Sequence, residues 1–233
     1  QTQFHHLVRT VPGEGLIVCN GTESTLRETL DKGCWTPVEF FGNHDGWQVL
    51  DVQANGAFDV CLHGEKVGHV AWALMGEHNR LNALAAIAAA RHVGVSVAAA
   101  CEALGEFKNV KRRMEIKGTQ NGITVYDDFA HHPTAIATTV AGLRQKLGKA
   151  RILAVLEPRS NTMKLGSMKA VLPESLQAAD QVFCYAGDVD WDVAEALAPL
   201  GEKLHVGGDF EAFVAEIVHE AKTGDHILVM SNG

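Results

Sequence analysis

The densest chemistry in the chain lies in eight consecutive residues, Tyr126-Asp127-Asp128-Phe129-Ala130-His131-His132-Pro133. Two carboxylates and two imidazoles this close together can accept hydrogen bonds, move a proton or stand beside an anion. The flanking residues indicate what must position them. Gly122-Ile123-Thr124-Val125 is β-branched and apolar and predicts a strand. Pro133 to Leu147 predicts a helix, because Ile136, Val140, Leu143 and Leu147 recur on one face. Pro133 suits the first helical position and Gly148 the exit. The cluster is therefore expected on a turn from a strand's carboxyl end to a helix's start, where open α/β sheets bind ligands and helix amides attract anions. The same residues also read as a helix cap and a polar turn. A third reading makes Asp127, Asp128, His131 and His132 a zinc site; supporting ligands are not evident, and no metal is expected there.

Bulk properties narrow the class. The 233 residues are 46% hydrophobic and 21% charged, an ordinary globular composition with room for two modest cores. A formal charge of −8 argues against a non-specific nucleic-acid binder. No run approaches the ~18 apolar residues of a membrane span. The five cysteines, Cys19, Cys34, Cys61, Cys101 and Cys184, include no C-x-x-C pair and read as reduced thiols of a cytoplasmic protein. The start shows no signal-peptide pattern. It is also not Met, and the end follows directly on the apolar run 227–230, so the chain reads as a piece of a longer one. Nothing in the pattern sets an oligomeric state.

In chain order, Gly15 to Cys19 predicts a buried strand, and Thr22 to Leu30 a short helix capped by Thr22 or Ser24. Residues 47–52 and 58–62 flank Asn55-Gly56, a hairpin signal, and with 67–74 they predict a three-stranded meander packed on one face. Helices follow at about 77–93, closed by Gly94, and from Ser96 to Leu104. Asn79 and Asn82, at i and i+3, share a face of the first helix's opening turn with His78 nearby. Two amides and an imidazole match the donor–acceptor edge of an adenine, although Asn there also serves as a cap or a solvated side chain.

Gly105 to Arg113 is polar and irregular, and places a domain boundary near residue 110, giving domains 1–110 and 111–233. Beyond it the expected order is strand 123–126, helix 133–147, strand 151–156, helix 166–179, strand 181–185, helix 190–198, strand 203–206, helix 209–222 and strand 226–230. The helix at 209–222 carries a stripe of Phe210, Phe213, Val214, Ile217, Val218 and Ala221. Strict alternation with apolar strands predicts an α/β, Rossmann-like, mostly parallel sheet covered on both faces. No G-x-G-x-x-G follows a strand, and Gly142 through Gly148-Lys149-Ala150 has the wrong spacing for a phosphate loop.

G-E-H-N-R-L-N-A-L-A-A (76–86), the Arg112-Arg113 pair and Y-D-D-F-A-H-H-P (126–133) together resemble the Mur ligases of bacterial cell-wall synthesis. The resemblance implies that residues 1–110 are the later part of a central ATPase domain and 111–233 a C-terminal Rossmann-like domain truncated at its end. The stretch E-P-R-S-N-T-M-K-L-G (157–166) and the ending V-M-S-N-G resemble the branch that joins UDP-N-acetylmuramate to the recovered tripeptide L-alanyl-γ-D-glutamyl-meso-diaminopimelate. What it implies is a muramate carboxylate activated by ATP and Mg²⁺ as an acyl phosphate, then attacked by the peptide's amine. His78, Asn79 and Asn82 would line the adenine, Arg113 would reach the phosphates, and Asp128 would accept from the ribose. His131 would stand near the reacting phosphate, and Asp127 would be scaffold. Arg159, Ser160, Asn161, Ser231 and Asn232 would meet the acidic peptide. The family's phosphate loop and main Mg²⁺ ligands would precede Gln1, so this piece alone is expected not to ligate. Alternatives are an L-alanine-adding or folate-polyglutamylating relative, or a non-catalytic nucleotide-binding module.

Overall fold

The computed structural model describes residues 1–72, 74, 76–187 and 189–232. Ala73, inside the strand expected over 67–74, and Gly233, the last residue of the V-M-S-N-G ending, lie outside them. The chain divides into two compact units, residues 1–108 and 109–233.

The first unit holds one five-stranded sheet in the order β1-β2-β3-β4-β5, with β1 Ile17–Asn20, β2 Val38–Phe41, β3 Trp47–Leu50, β4 Phe58–Leu62 and β5 Glu65–Val70. The first three strands run parallel, and β3, β4 and β5 form the antiparallel meander. Helix α1 (Thr2–Val8) carries no apolar stripe that would announce it and buries nothing. Helix α2 (Ser24–Asp31) starts after Glu23 with no side-chain cap; the expected capping residue Thr22 instead donates to Asn20 Oδ1 through its N–H (3.0 Å) and hydroxyl (2.9 Å). Helix α3 (Glu77–His92) lays Ala83, Leu84, Ile87 and Ala88 on a core of Trp47, Phe58, Val60 and Val70. Helix α4 (Val97–Gly105) is capped by Ser96, which accepts from Ala99 N, and adds Ala100 and Cys101. The meander is not one-sided: Phe58, Asp59, Val60 and Cys61 are all buried. Asp59 can be buried because Lys66 Nζ (2.5 Å) and His69 Nδ1 (2.7 Å) reach its carboxylate, with the Lys66 and then the His69 hydrogen bond holding it below the usual carboxylate range.

The second unit is a six-stranded sheet ordered β10-β9-β8-β11-β7-β6, parallel except for β6. Its strands are β6 Glu115–Gln120, β7 Ile123–Asp128, β8 Ile152–Leu156, β9 Gln181–Tyr185, β10 Leu204–Gly207 and β11 His226–Met230. The edge strand β6 has no apolar alternation and is mostly exposed, so periodicity could not reveal it. Helix α5 (Pro133–Leu147), α7 (Leu172–Ser175) and α8 (Val193–Leu197) cover one face over Ile152, Ala154 and Leu156; α9 (Phe210–Glu220) covers Leu153, Val155 and Phe183 on the other. The helix expected over 166–179 is broken into α6 (Asn161–Lys164), a 3₁₀ turn at 169–171 and α7. Gly166 has φ +69°, and Pro173 lacks the N–H that a continuous helix would need there. On α9 only Phe213 and Ile217 of the expected stripe are buried, while Phe210, Val214 and Val218 are exposed. Among the described helices none is long and apolar enough to cross a membrane, and all five cysteines are free.

Candidate functional site

In the first unit the motif residues occupy the opening of α3. Gly76 caps the helix at φ +94°, a conformation that favours glycine, and a Cβ there would lie 2.8 Å from the His78 ring. His78 and Asn82 are exposed and Asn79 is half-buried. This opening meets the carboxyl ends of β1 and β2: a Cβ on Gly42 would lie 3.1 Å from Leu81 Cδ2 and 3.3 Å from Asn20 Oδ1. Asn43 follows, its Oδ1 buried without a donor among the described residues. Neither Asn20 nor Asn43 belongs to a motif, and only strand topology draws attention to them.

In the second unit the site is a rim assembled at the carboxyl ends of three neighbouring strands. The register aligns Leu156 of β8, Met230 of β11 and Asp128 of β7, so residues 157, 231 and 129 leave the sheet side by side. Ser231 stitches them together. Its N–H donates to Asp128 O (3.2 Å), its hydroxyl to Glu157 Oε2, and its carbonyl accepts from Arg112 Nη2 (2.5 Å). Asn232 follows with Oδ1 buried and without a donor among the described residues. Arg159 is exposed, 3.9 Å from Glu157, and Asn161 is exposed as well. Ser160 is turned to local work, capping the short α6 by accepting from Met163 N (3.3 Å).

The two adjacent acids differ in exposure. Asp128 is 2% exposed. Its Oδ1 accepts from Ala130 N (2.8 Å) and the Thr139 hydroxyl (3.4 Å), and its Oδ2 from Met114 N (2.8 Å). It is therefore a turn-holding carboxylate, because amides that no strand or helix pairs must be satisfied from within. Asp127, expected as scaffold, is the more open one: it accepts from Arg112 Nε (3.5 Å) and lines a shallow groove of about 500 Å³ with Arg112, Lys117, Val125, Val229 and Ser231. His131 Nδ1 lies 2.8 Å from Phe129 O, and a carbonyl can only accept, so this nitrogen carries the proton and Nε2 the lone pair of the neutral ring. His132 caps α5 through Nδ1, which accepts from Thr134 N (3.3 Å). Among the described residues, no group of three or more His, Cys, Asp and Glu is placed to hold a metal ion.

Arg112 and Arg113 point to opposite uses. Arg113 is exposed, whereas Arg112 is half-buried with φ +58° and its guanidinium 5.2 Å from the Phe129 ring centroid. Its N–H donates to Glu115 Oε2 (2.9 Å); that bond, then the one from Lys117, holds the Glu115 carboxyl below its usual range. Arg112 and Glu157 take part in this rim although the sequence pattern assigns neither a role; both lie within the 112–113 and 157–166 motifs.

Residues 112–233 match the family described as Mur ligase, glutamate ligase domain. The whole chain is 52% identical to the UDP-N-acetylmuramate–L-alanyl-γ-D-glutamyl-meso-2,6-diaminoheptandioate ligase of Escherichia coli (strain K12), covering 52% of that protein. The counterpart of that name from Haemophilus influenzae is 48% identical with the same coverage. A crystal structure of a murein peptide ligase from Psychrobacter arcticus superposes on the full chain with a TM-score of 0.74 at 41% identity, the match covering 51% of it. The chain thus spans about half the length of the relatives it matches. On a family match across the second unit and this identity over its full length, the chain belongs to the Mur ligase family.

Proposed function

We propose that these 233 residues are part of a cytoplasmic ATP- and Mg²⁺-dependent ligase that joins UDP-N-acetylmuramate to L-alanyl-γ-D-glutamyl-meso-diaminopimelate. In this reading residues 1–110 belong to the central ATPase domain and 111–233 to the C-terminal domain. The observation that carries it is the 52% identity, over the full length of the chain, to a ligase bearing those substrates in its name.

The residues suit a nucleotide. The opening of α3 offers the exposed amide of Asn82, and Asn43 Oδ1 is a buried acceptor in want of a donor, which an exocyclic amine supplies. Arg113 is an exposed cation for phosphate. Asp128 Oδ2 takes one bond, from Met114 N, and a carboxylate oxygen accepts two, which leaves it acceptor capacity for a ribose hydroxyl. Bound ATP with Mg²⁺ supplies the phosphoryl group that activates the muramate carboxylate. The chain's own work is then positioning and charge. His131 Nε2, its lone pair oriented by the Nδ1–H bond to Phe129 O, takes the proton from the attacking amine. Arg159, Asn161 and the Ser231–Asn232 pair hold the peptide's carboxylates at the rim, with Ser160 placing its neighbours through the α6 cap.

The test uses the full-length parent with UDP-N-acetylmuramate, ATP and Mg²⁺, offered the tripeptide, L-alanine, or a folate with glutamate. Phosphate release that depends on the tripeptide supports the reading. Release that depends on L-alanine or folate, or nucleotide binding with no turnover, overturns it.

A further inference from the structure

We propose that Arg112 is a positioning residue: its guanidinium clamps Ser231 and the 127–131 turn into one rim, which leaves its neighbour Arg113 displayed for ligand. The proposal rests on the ligase reading for its kinetic consequence but on geometry for the clamp itself. Arg112 reaches residues far apart in sequence with every part of itself. Nη2 donates to Ser231 O (2.5 Å), Nε to Asp127 Oδ1 (3.5 Å), and the guanidinium carbon lies over the Phe129 ring, 5.2 Å from its centroid. Its backbone carbonyl accepts from Phe129 N (2.8 Å), and its N–H is held by Glu115 (2.9 Å). Phe129 in turn fixes His131, through its carbonyl (2.8 Å) and through an edge-to-face ring contact (5.0 Å). Arg112 thus touches the serine directly and reaches the imidazole through Phe129, two groups that follow the ends of two different strands.

The chemistry calls for arginine. A fork of donors reaches two acceptors while its charge sits over a ring; lysine, a point charge on a flexible stem, meets one acceptor at a time. The backbone is part of the device. Arg112 and Met114 both sit at positive φ (+58° and +52°), uncommon for side chains of this size, and they bracket Arg113. Such a kink persists because its surroundings over-determine it, and here the surroundings are the bonds just described. Two adjacent arginines therefore divide the labour, one turned into the rim and one out of it.

The full-length parent carrying R112K, R112A and R113A separates the outcomes. R112A is expected to raise KM for the acceptor peptide and lower kcat, each by about tenfold, the size of one lost charge-assisted hydrogen bond. R112K is expected to recover little of this, and millimolar methylguanidinium to recover part of the R112A loss. R113A is expected to raise KM for ATP alone. Wild-type kinetics in R112K, or an R112A loss confined to kcat with no guanidinium rescue, overturns the positioning role. Amide exchange read on the same proteins needs no turnover: Phe129 and Ser231 N–H exchange about tenfold faster in R112A and R112K, with β8 unchanged. Unchanged exchange at those amides overturns the clamp whether or not the parent ligates, and absent tripeptide-dependent turnover in wild type with accelerated exchange overturns the ligase reading alone.

Discussion

The two units present their polar residues by different means. At the opening of α3, residues 78, 79 and 82 come together because a single helical turn puts them there, with Gly76 as the local condition. At the rim of the second unit, residues 112, 128, 157 and 231 come together only because three strands end in register and their ends are tied. The first arrangement is tolerant, since losing one amide leaves the helix intact. The second is interdependent, since Arg112, Asp128 and Ser231 each bond to more than one segment of the chain. Stability and ligand binding should therefore separate cleanly in the first unit and be coupled in the second.

The largest effect should come from Asp128→Ala. It strips the acceptor from Met114 N, Ala130 N and the Thr139 hydroxyl inside a nearly closed site. Denaturant melts should show a loss of about 3 kcal/mol or more, from unsatisfied buried donors at ~1–3 kcal/mol each. A loss under about 1 kcal/mol would place the carboxylate in solvent and undo the contrast. Asn82→Ala should behave in the opposite way. Its stability should stay within about 0.5 kcal/mol of wild type, while an ATP analogue binds the full-length parent about tenfold more weakly, the worth of roughly 1.4 kcal/mol. Equal binding by calorimetry would remove the adenine role from α3.

Ser231→Ala tests the coupling at finer grain. It removes one hydroxyl bond to Glu157, so stability should fall by about 1 kcal/mol. KM for the peptide should rise in the same variant; a stability change without a KM change would make the stitch purely structural. The smallest effect concerns pH. Burial, only partly offset by the Asp225 charge, lowers the His226 value below that of a free imidazole, and the ring sits 3.1 Å from the Tyr126 hydroxyl. A folded value below the unfolded one means that the unfolded chain takes up the proton first. The contribution is complete above about pH 6.5 and lost as pH falls through the lowered folded value. Melts of wild type and His226→Gln between pH 7.5 and pH 5 (about the window these values define) should converge toward acid. Parallel curves would remove His226 from the balance.

Much of the sheet of the second unit was legible, because β7, β8, β9 and β11 are short apolar runs between turn signals, and burial on both faces demands such runs. Edge strand β6 was not, since an edge exposed to solvent needs no hydrophobic alternation. The continuous helix over 166–179 failed at Gly166 and Pro173, which interrupt backbone hydrogen bonding despite an acceptable apolar count. Of the α9 stripe only Phe213 and Ile217 are buried, because periodicity marks apolar positions and only packing decides which of them are covered.

For the site, the residues themselves determined where chemistry sits: the strand–turn–helix context of 126–133, the amides opening α3, and the neighbouring arginines were all present in order and spacing. Tertiary structure alone decided which member of each adjacent pair faces inward. Asp128 rather than Asp127 is closed off, and Arg112 rather than Arg113 is tied down. The reason is physical: neighbours in a strand or tight turn point to opposite sides, and which side is protein depends on β6, β11 and Ser231 beyond it, which hydrogen-bond to this stretch from as far as 119 positions away.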